Sequence, residues 1–147
     1  MASAVNPTDR LGEAILSTRA DAIIAADHDG IVRVWNPGAE RMFGYCAAEA
    51  VGKSLDLIIP ACLRDRHWQS YRQVIATGES RYGDAELLSA PARRADGATI
   101  SIAFTVVPLR NDGRVVGMAA IMRDVTRRFE EMRALKRKAA GTVGPAT

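Results

Sequence analysis

Five short runs of β-branched, aromatic and other apolar residues, each bounded by turn residues, predict the strands of this chain. They lie at 22–26, 31–35, 82–94, 99–110 and 114–125. An Asp-Gly pair stands between the first two runs, and again in both connections that join the last three. Because glycine accepts the positive φ of tight hairpin turns, the pattern predicts antiparallel hairpins.

The fourth run alternates between apolar and polar positions. Its apolar positions, Ile100, Ile102, Phe104 and Val106, are predicted to share the face that packs on the core. The fifth run is apolar at almost every position, as expected for a central strand that is covered on both faces.

Helical patterns occupy the rest of the chain. One helix is predicted from Pro7 to about Arg19, and a second over 37–43, capped by Asn36 and ended by Gly44. Several helical segments lie between the second and third strands. Strands and helices together predict an α+β domain in which one face of the sheet carries the helices.

The helix predicted after Pro60 and ending at Gly78 places a histidine within an apolar stripe. The stripe consists of residues spaced four, four and three apart: Leu63, His67, Tyr71 and Val74. His67 is therefore predicted to point inward. It is either a core histidine bonded to backbone or water, or a ligand-binding residue in a pocket.

We divide the chain into an N-terminal flanking helix (1–19), a core domain (20–125) and a C-terminal helix with a tail (126–147). The last helix has a narrow apolar seam near heptad spacing, interrupted by Lys136. The seam consists of Val125, Phe129, Met132, Leu135 and Ala139. One short seam cannot bury itself in water, so we expect it to pack on the domain, on a second copy, or on both.

Composition favours a globular protein and excludes several classes. The 147 residues are 48% hydrophobic and 25% charged. We find no run of about eighteen apolar residues for a membrane span and no secretory signal pattern. The two cysteines, Cys46 and Cys62, lack CxxC spacing, so we predict no structural zinc site and a cytoplasmic chain with reduced thiols.

Charge and motifs indicate neither a nucleic-acid partner nor an enzyme. Seven of the 20 Lys and Arg residues lie from Arg123 onward, where they suit the solvated face of a helix. No nucleophile–base pair, phosphate loop or paired carboxylate constellation stands out. We therefore predict no catalytic activity and no nucleic-acid binding.

The order of these elements resembles a PAS sensor domain over about residues 18–127. The resemblance depends on the block NPGAERMFGY at 36–45, the RRADG hairpin at 93–97 and the closing RDVT at 123–126. It implies a five-stranded antiparallel sheet whose concave face and helices enclose a small pocket. It also implies a homodimer and a signal that passes through flanking helices to an effector such as a histidine kinase.

Within that family, the long helix is similar to the haem-binding, FixL-type oxygen sensors. Their signature has a Pro, then an Arg and a His, then a Tyr and Ala-Thr-Gly-Glu. This chain has Pro60, Arg64, His67, Tyr71 and ATGE at 76–79. By position, His67 matches the family's iron ligand for haem b. A flavin photosensor is disfavoured, because Cys62 lacks the GxNCRFLQ-like setting.

The resemblance implies an apolar haem slot. Its expected residues are Leu63, His67, Tyr71, Leu88, Ile102, Phe104, Val106, Met118, Ala120 and Met122. Arg72 or Arg81 is a candidate partner for a propionate.

FixL-type domains carry an oxygen-holding arginine where this chain has Leu87 or Leu88, so O2, CO, NO and redox change all remain candidate signals. Two alternatives stay open. One is a haem-free dimerisation module. The other is a pocket for a small organic ligand anchored by His67 or Tyr71.

Overall fold

A computed structural model describes residues 6–79 and 86–142 of the chain. Its strands are β1 (Ala22–Asp27), β2 (Val32–Trp35), β3 (Leu88–Arg93), β4 (Thr99–Asn111) and β5 (Arg114–Asp124). Its helices are α1 (Pro7–Leu16), α2 (Pro37–Phe43), α3 (Ala47–Ala50), α4 (Arg64–Thr77) and α5 (Thr126–Thr142). In the described residues the strands form one antiparallel sheet in the order β2-β1-β5-β4-β3, which confirms the predicted α+β fold.

The first hairpin forms as predicted. The amide of Gly30 donates to the carbonyl of Asp27 across the turn at 2.9 Å, and Gly30 has a φ of 78°. The third predicted strand began at residue 82, and its segment 82–85 lies outside the described residues. Within the described part, β3 starts at Leu88 and pairs with β4.

Asn36 joins helix α2 to the first strand. Its Oδ1 accepts hydrogen bonds from the amides of Ala39 and Ile23, at 2.9 and 2.8 Å, while Nδ2 donates to the carbonyl of Asp21. The side chain is buried, so these bonds replace those it would make with water. One residue therefore caps the helix and fixes its position against the sheet.

Helix α4 begins later than the sequence pattern predicts. A 3-10 turn over Ala61–Leu63 follows Pro60, and the α-helix starts at Arg64. It ends at Gly78, which takes the left-handed conformation and whose carbonyl accepts a hydrogen bond from Arg110 at 2.9 Å. The positive φ of 75° favours glycine at this position.

The core lies between the concave face of the sheet and the helices, around Phe43, Met42, Ile24 and Val32. The convex face is different. Ile121 of β5 is 41% exposed, so the prediction of a central strand covered on both sides is wrong for the described chain.

Both flanking helices also expose their apolar residues. No residue of α1 is buried, and Leu11 is 60% exposed. No helix among the described residues combines the length and the apolar character that crossing a membrane requires.

Candidate ligand-binding cavity

A cavity of about 190 Å³ lies between α4 and the concave face of the sheet. Nine of the ten residues predicted for the pocket line it: Leu63, His67, Tyr71, Ile102, Phe104, Val106, Met118, Ala120 and Met122. The two-residue period of β4 and β5 places their side chains on one face, and the helical stripe of α4 closes the opposite side.

Leu88 is not part of the lining. Leu88 is the first residue of β3 and pairs with Phe104, a lining residue of β4. It therefore belongs to the face of the sheet that lines the cavity, but it lies at the end of its strand and outside the lining. Farther along the same strand, Ala90, Pro91 and Ala92 line the cavity instead. The side chains of these three residues are smaller than that of Leu88.

Further lining residues are ones to which the sequence assigned no role in the site. These are Ile24, Ala26, Leu55, Ile58, Ile59 and Ala119. In the sequence, most of these residues belong to the apolar segment before Pro60 or to the apolar first strand, and this apolar character is what could have predicted them. Cys62 is exposed and does not line the cavity.

His67 lines this cavity and has an unpaired nitrogen. Its Nδ1 is buried and has no hydrogen-bond partner among the described residues. The imidazole lies edge-on to the indole of Trp68, with ring centroids 4.6 Å apart, and 5.7 Å from the ring of Tyr71. Burial lowers the pKa of His67 more than the nearby carboxylate of Asp56 raises it. The imidazole is therefore neutral at pH 7, and one of its nitrogens carries a free lone pair.

Tyr71 is the other polar side chain among the described lining residues, but its hydroxyl already has a partner. It donates to the carbonyl of Asp27 at 2.5 Å. Burial, with smaller contributions from the carboxylates of Asp27 and Asp29, raises the pKa of Tyr71 to about 12. The phenol stays neutral at physiological pH, and it ties α4 to the end of β1.

Trp68 holds the same helix from a second direction. Its Nε1 donates to Oδ1 of Asp56 at 2.7 Å. Its ring lies against Gly30, where the methyl group of an alanine would come within 2.1 Å of Cη2 and Cζ3. The sequence pattern assigned Trp68, Gly30 and Asp56 no role in the site. The position of Trp68 directly after His67 is the sequence feature that could have predicted its place in the site.

The donor chemistry of this site suits a haem iron ligand, but its present volume does not admit a porphyrin. A neutral imidazole that projects into an apolar space is the usual axial ligand type. Pockets for drug-sized ligands measure roughly 300–1,000 Å³, which exceeds this cavity. Arg72 is exposed and outside the lining, and Arg81 lies outside the described residues.

Comparisons with known proteins agree on one family. The family model described as PAS fold matches residues 16–130. The signal transduction histidine-protein kinase AtoS of Escherichia coli is 31% identical over 135 residues, which cover 90% of this chain and 21% of that protein. Sensor protein FixL of Bradyrhizobium diazoefficiens is 27% identical over 113 residues, covering 76% of this chain and 22% of that protein.

The chain thus spans about a fifth of the length of these curated relatives. The solved structure of an RNA-binding Light-Oxygen-Voltage receptor superimposes with a TM-score of 0.71 at 28% identity. The superimposed region covers 95% of this chain and 40% of the receptor chain. Because the family model matches most of its residues, this chain belongs to the PAS fold family.

Proposed function

We propose that this chain is the sensory domain of a signalling protein and that it detects its signal through haem b bound by His67. The observation that carries the proposal is the buried Nδ1 of a neutral imidazole: the His67 ring lines an apolar cavity, and this nitrogen has no partner among the described residues. A buried polar atom without a hydrogen-bond partner lowers the stability of the folded state by about 1–3 kcal/mol. A ligand that pairs with this atom would recover that free energy. The FixL-type pattern of Pro60, His67 and Tyr71 supports the same assignment.

In this proposal the chain supplies the axial ligand and the walls of the site. His67 binds from the helix side, and the sheet contributes the apolar surface of Phe104, Met118 and Met122. When bound, haem would supply an iron that responds to O2, CO, NO or redox state. Leu87 is exposed and Leu88 lies outside the lining. Because a leucine side chain has no hydrogen-bond donor, neither residue can stabilise a bound gas as an arginine would.

Haem uptake requires the cavity to widen, and α4 is the element that carries the ligand. Hydrogen bonds to other parts of the chain restrain this helix, among them Tyr71 to Asp27, Trp68 to Asp56, and Arg110 to Gly78. Occupation of the cavity would therefore change the contacts of α4 with the ends of β1 and β4 and with the segment around Asp56. This coupling between ligand binding and the contacts of α4 would allow the domain to change conformation when its ligand binds.

The C-terminal helix starts in a position to receive that response. Oδ1 of Asp124 accepts from the amide of Thr126, and the Thr126 hydroxyl accepts from the amide of Ser101 at 2.9 Å. The start of α5 is thus bonded to both β4 and β5, whose side chains line the cavity. A displacement of these strands would move the helix.

We further propose that the flanking segments 1–19 and 126–147 mediate a homodimer and contact an effector, such as a histidine kinase, outside the core 20–125. Their apolar side chains are exposed in the described chain: Leu11, Ile15, Leu16, Phe129, Met132 and Leu135. A second copy would bury this surface, and each buried Å² of apolar area contributes about 25 cal/mol.

An absorption spectrum tests the haem assignment. The chain is produced in cells supplied with haem precursor and purified, and we expect a Soret band that shifts on reduction and on addition of CO. His67→Ala should lose or shift the band, whereas His28→Ala should not, because His28 lies in the exposed first hairpin turn. No Soret band, or one that His67→Ala leaves unchanged, would contradict the proposal.

A second candidate is a sensor of a small organic ligand, and the cavity volume favours it. At about 190 Å³ the cavity admits a small molecule without displacement of α4. Native mass spectrometry of the purified chain should then show a bound mass far below that of haem. A chain whose mass matches its sequence alone after purification from varied media would count against this candidate.

A further inference from the structure

We infer that the haem-free cavity binds a small neutral aromatic alcohol, of about the size of phenol, whose hydroxyl pairs with His67. This inference rests on the organic-ligand form of the proposed function and names the ligand class for it. It follows from the volume of the cavity, the polar atoms in its wall and the charges around it.

The volume corresponds to a single ring with a small substituent. An apolar cavity of about 150 Å³ stays dry and binds benzene, and a water-sized group occupies roughly 30 Å³. The cavity in this chain measures about 190 Å³. It therefore has room for one six-membered ring and one hydroxyl.

The polar atoms in the wall favour a ligand over water. A buried water needs two to four polar partners. The lining has two polar side chains, and the hydroxyl of Tyr71 already donates to Asp27, so the unpaired nitrogen of His67 is the main polar anchor. A hydroxyl is the best match for a neutral imidazole, because it can both donate and accept and so pairs with either tautomer.

The charges around the cavity disfavour an ionised ligand. None of the described lining residues is a lysine or an arginine. The nearby carboxylates of Asp27 and Asp56 pair with Arg33 and Arg64, which lie outside the lining. A carboxylate ligand would therefore find no cation among the described lining residues, and an ammonium ligand would lose its hydration to an apolar wall.

The apolar wall suits an aromatic ring. Phe104 provides an aromatic side chain, and Met118 and Met122 provide polarisable thioethers. Methionine sulfur makes favourable contacts with aromatic rings, and its flexible side chain adapts to the outline of a ligand. These residues come from β4 and β5, so a bound ring would contact the strands that hold α5.

Three probes with a single aromatic ring separate the contributions, and phenol and toluene are matched in size. Phenol, toluene and benzoate are titrated against the full haem-free chain, and binding is followed by ligand-observed NMR and calorimetry. We expect phenol to bind about 3- to 10-fold more tightly than toluene, the factor that one neutral hydrogen bond supplies, and benzoate to bind more weakly than either. Equal affinity for phenol and toluene, or tighter binding of benzoate, would overturn the inference.

A matched variant assigns the effect to His67. His67→Phe keeps a ring of similar volume but removes both nitrogens, so the ratio of toluene to phenol dissociation constants should fall to about one. His28→Phe, in the exposed turn, should keep the wild-type ratio. In the wild-type chain, phenol and not toluene should shift the ¹⁵N resonances of the His67 imidazole, a readout that does not depend on whether the variant folds. Retention of the phenol preference in a folded His67→Phe chain would contradict the assignment.

The outcomes distinguish this inference from the haem proposal. A His67-dependent Soret band in a chain whose haem-free form binds no phenol would overturn the inference and support haem. Phenol binding that depends on His67, in a chain with no Soret band, would support the inference and overturn the haem proposal.

Discussion

Gly30 supports helix α4 through its contact with Trp68, and replacing it with alanine tests that contact. Gly30 has a φ of 78°, and a Cβ at this position would lie 2.1 Å from two carbons of the Trp68 indole. A left-handed conformation costs an alanine about 1–2 kcal/mol. Overpacking against a well-packed side chain costs about 1–3 kcal/mol more. We expect Gly30→Ala to lower the free energy of unfolding by about 2–5 kcal/mol.

Urea unfolding followed by circular dichroism measures this loss of stability. One control variant and one variant background separate the backbone cost from the cost of overpacking. Gly97→Ala is the control for the backbone cost, because Gly97 has a φ of 86° and nothing within 4 Å of a Cβ. It should lose only about 1–2 kcal/mol. In a Trp68→Ala background, Gly30→Ala should also cost only the backbone part, because the overlapping ring is absent.

The result that would refute this reasoning is an equal cost of Gly30→Ala with and without the indole. A loss no larger than that of Gly97→Ala would have the same meaning. The Trp68 ring also lies 4.6 Å from the His67 ring. The variant should therefore change the fluorescence of Trp68 and weaken ligand binding in the cavity.

Three further predictions concern titration and assembly. The pKa of Tyr71 is raised from 10.0 to about 12. Its stabilising contribution is therefore complete below pH 10 and is lost as the pH rises towards 12, so thermal melts of Tyr71→Phe should vary less over that range than wild-type melts. The pKa of His67 is lowered. Its contribution is present above the unfolded value of about 6.5 and is lost as the pH falls through the folded value, so His67→Phe should lose less stability in urea unfolding between pH 7 and pH 5. Light scattering should show Met132→Glu as a smaller species than wild type and Ala134→Glu, on the opposite face of α5, as unchanged; a wild-type monomer would contradict the dimer.

The strand faces and the inward position of His67 could be predicted because periodicity alone determines them. A period of two assigns alternate residues of β4 to one side, and a spacing of four, four and three aligns His67 with Tyr71. These local rules needed no knowledge of the neighbouring elements. The same holds for Asn36 and Gly44, whose capping roles depend on the adjacent backbone.

The remaining features depend on contacts between distant parts of the chain. Gly30 and Trp68 meet across 38 residues of sequence, and no local pattern marks such a pair. Leu88 lies outside the cavity because of where β3 starts, and strand ends are set by the connecting segment and not by alternation. Likewise, the apolar character of Ile121 does not reveal whether a helix of the same chain or another surface covers it.

The central claim is that the imidazole of His67 projects into a cavity and binds the ligand there. Chemical rescue tests it most directly: the His67→Gly chain is reconstituted with haem, and its absorption spectrum is recorded before and after addition of free imidazole. We predict that the wild-type chain has a Soret band of a histidine-ligated haem, that the variant lacks it, and that imidazole restores it. A variant spectrum identical to that of the wild-type chain, or one that imidazole does not change, would contradict the claim.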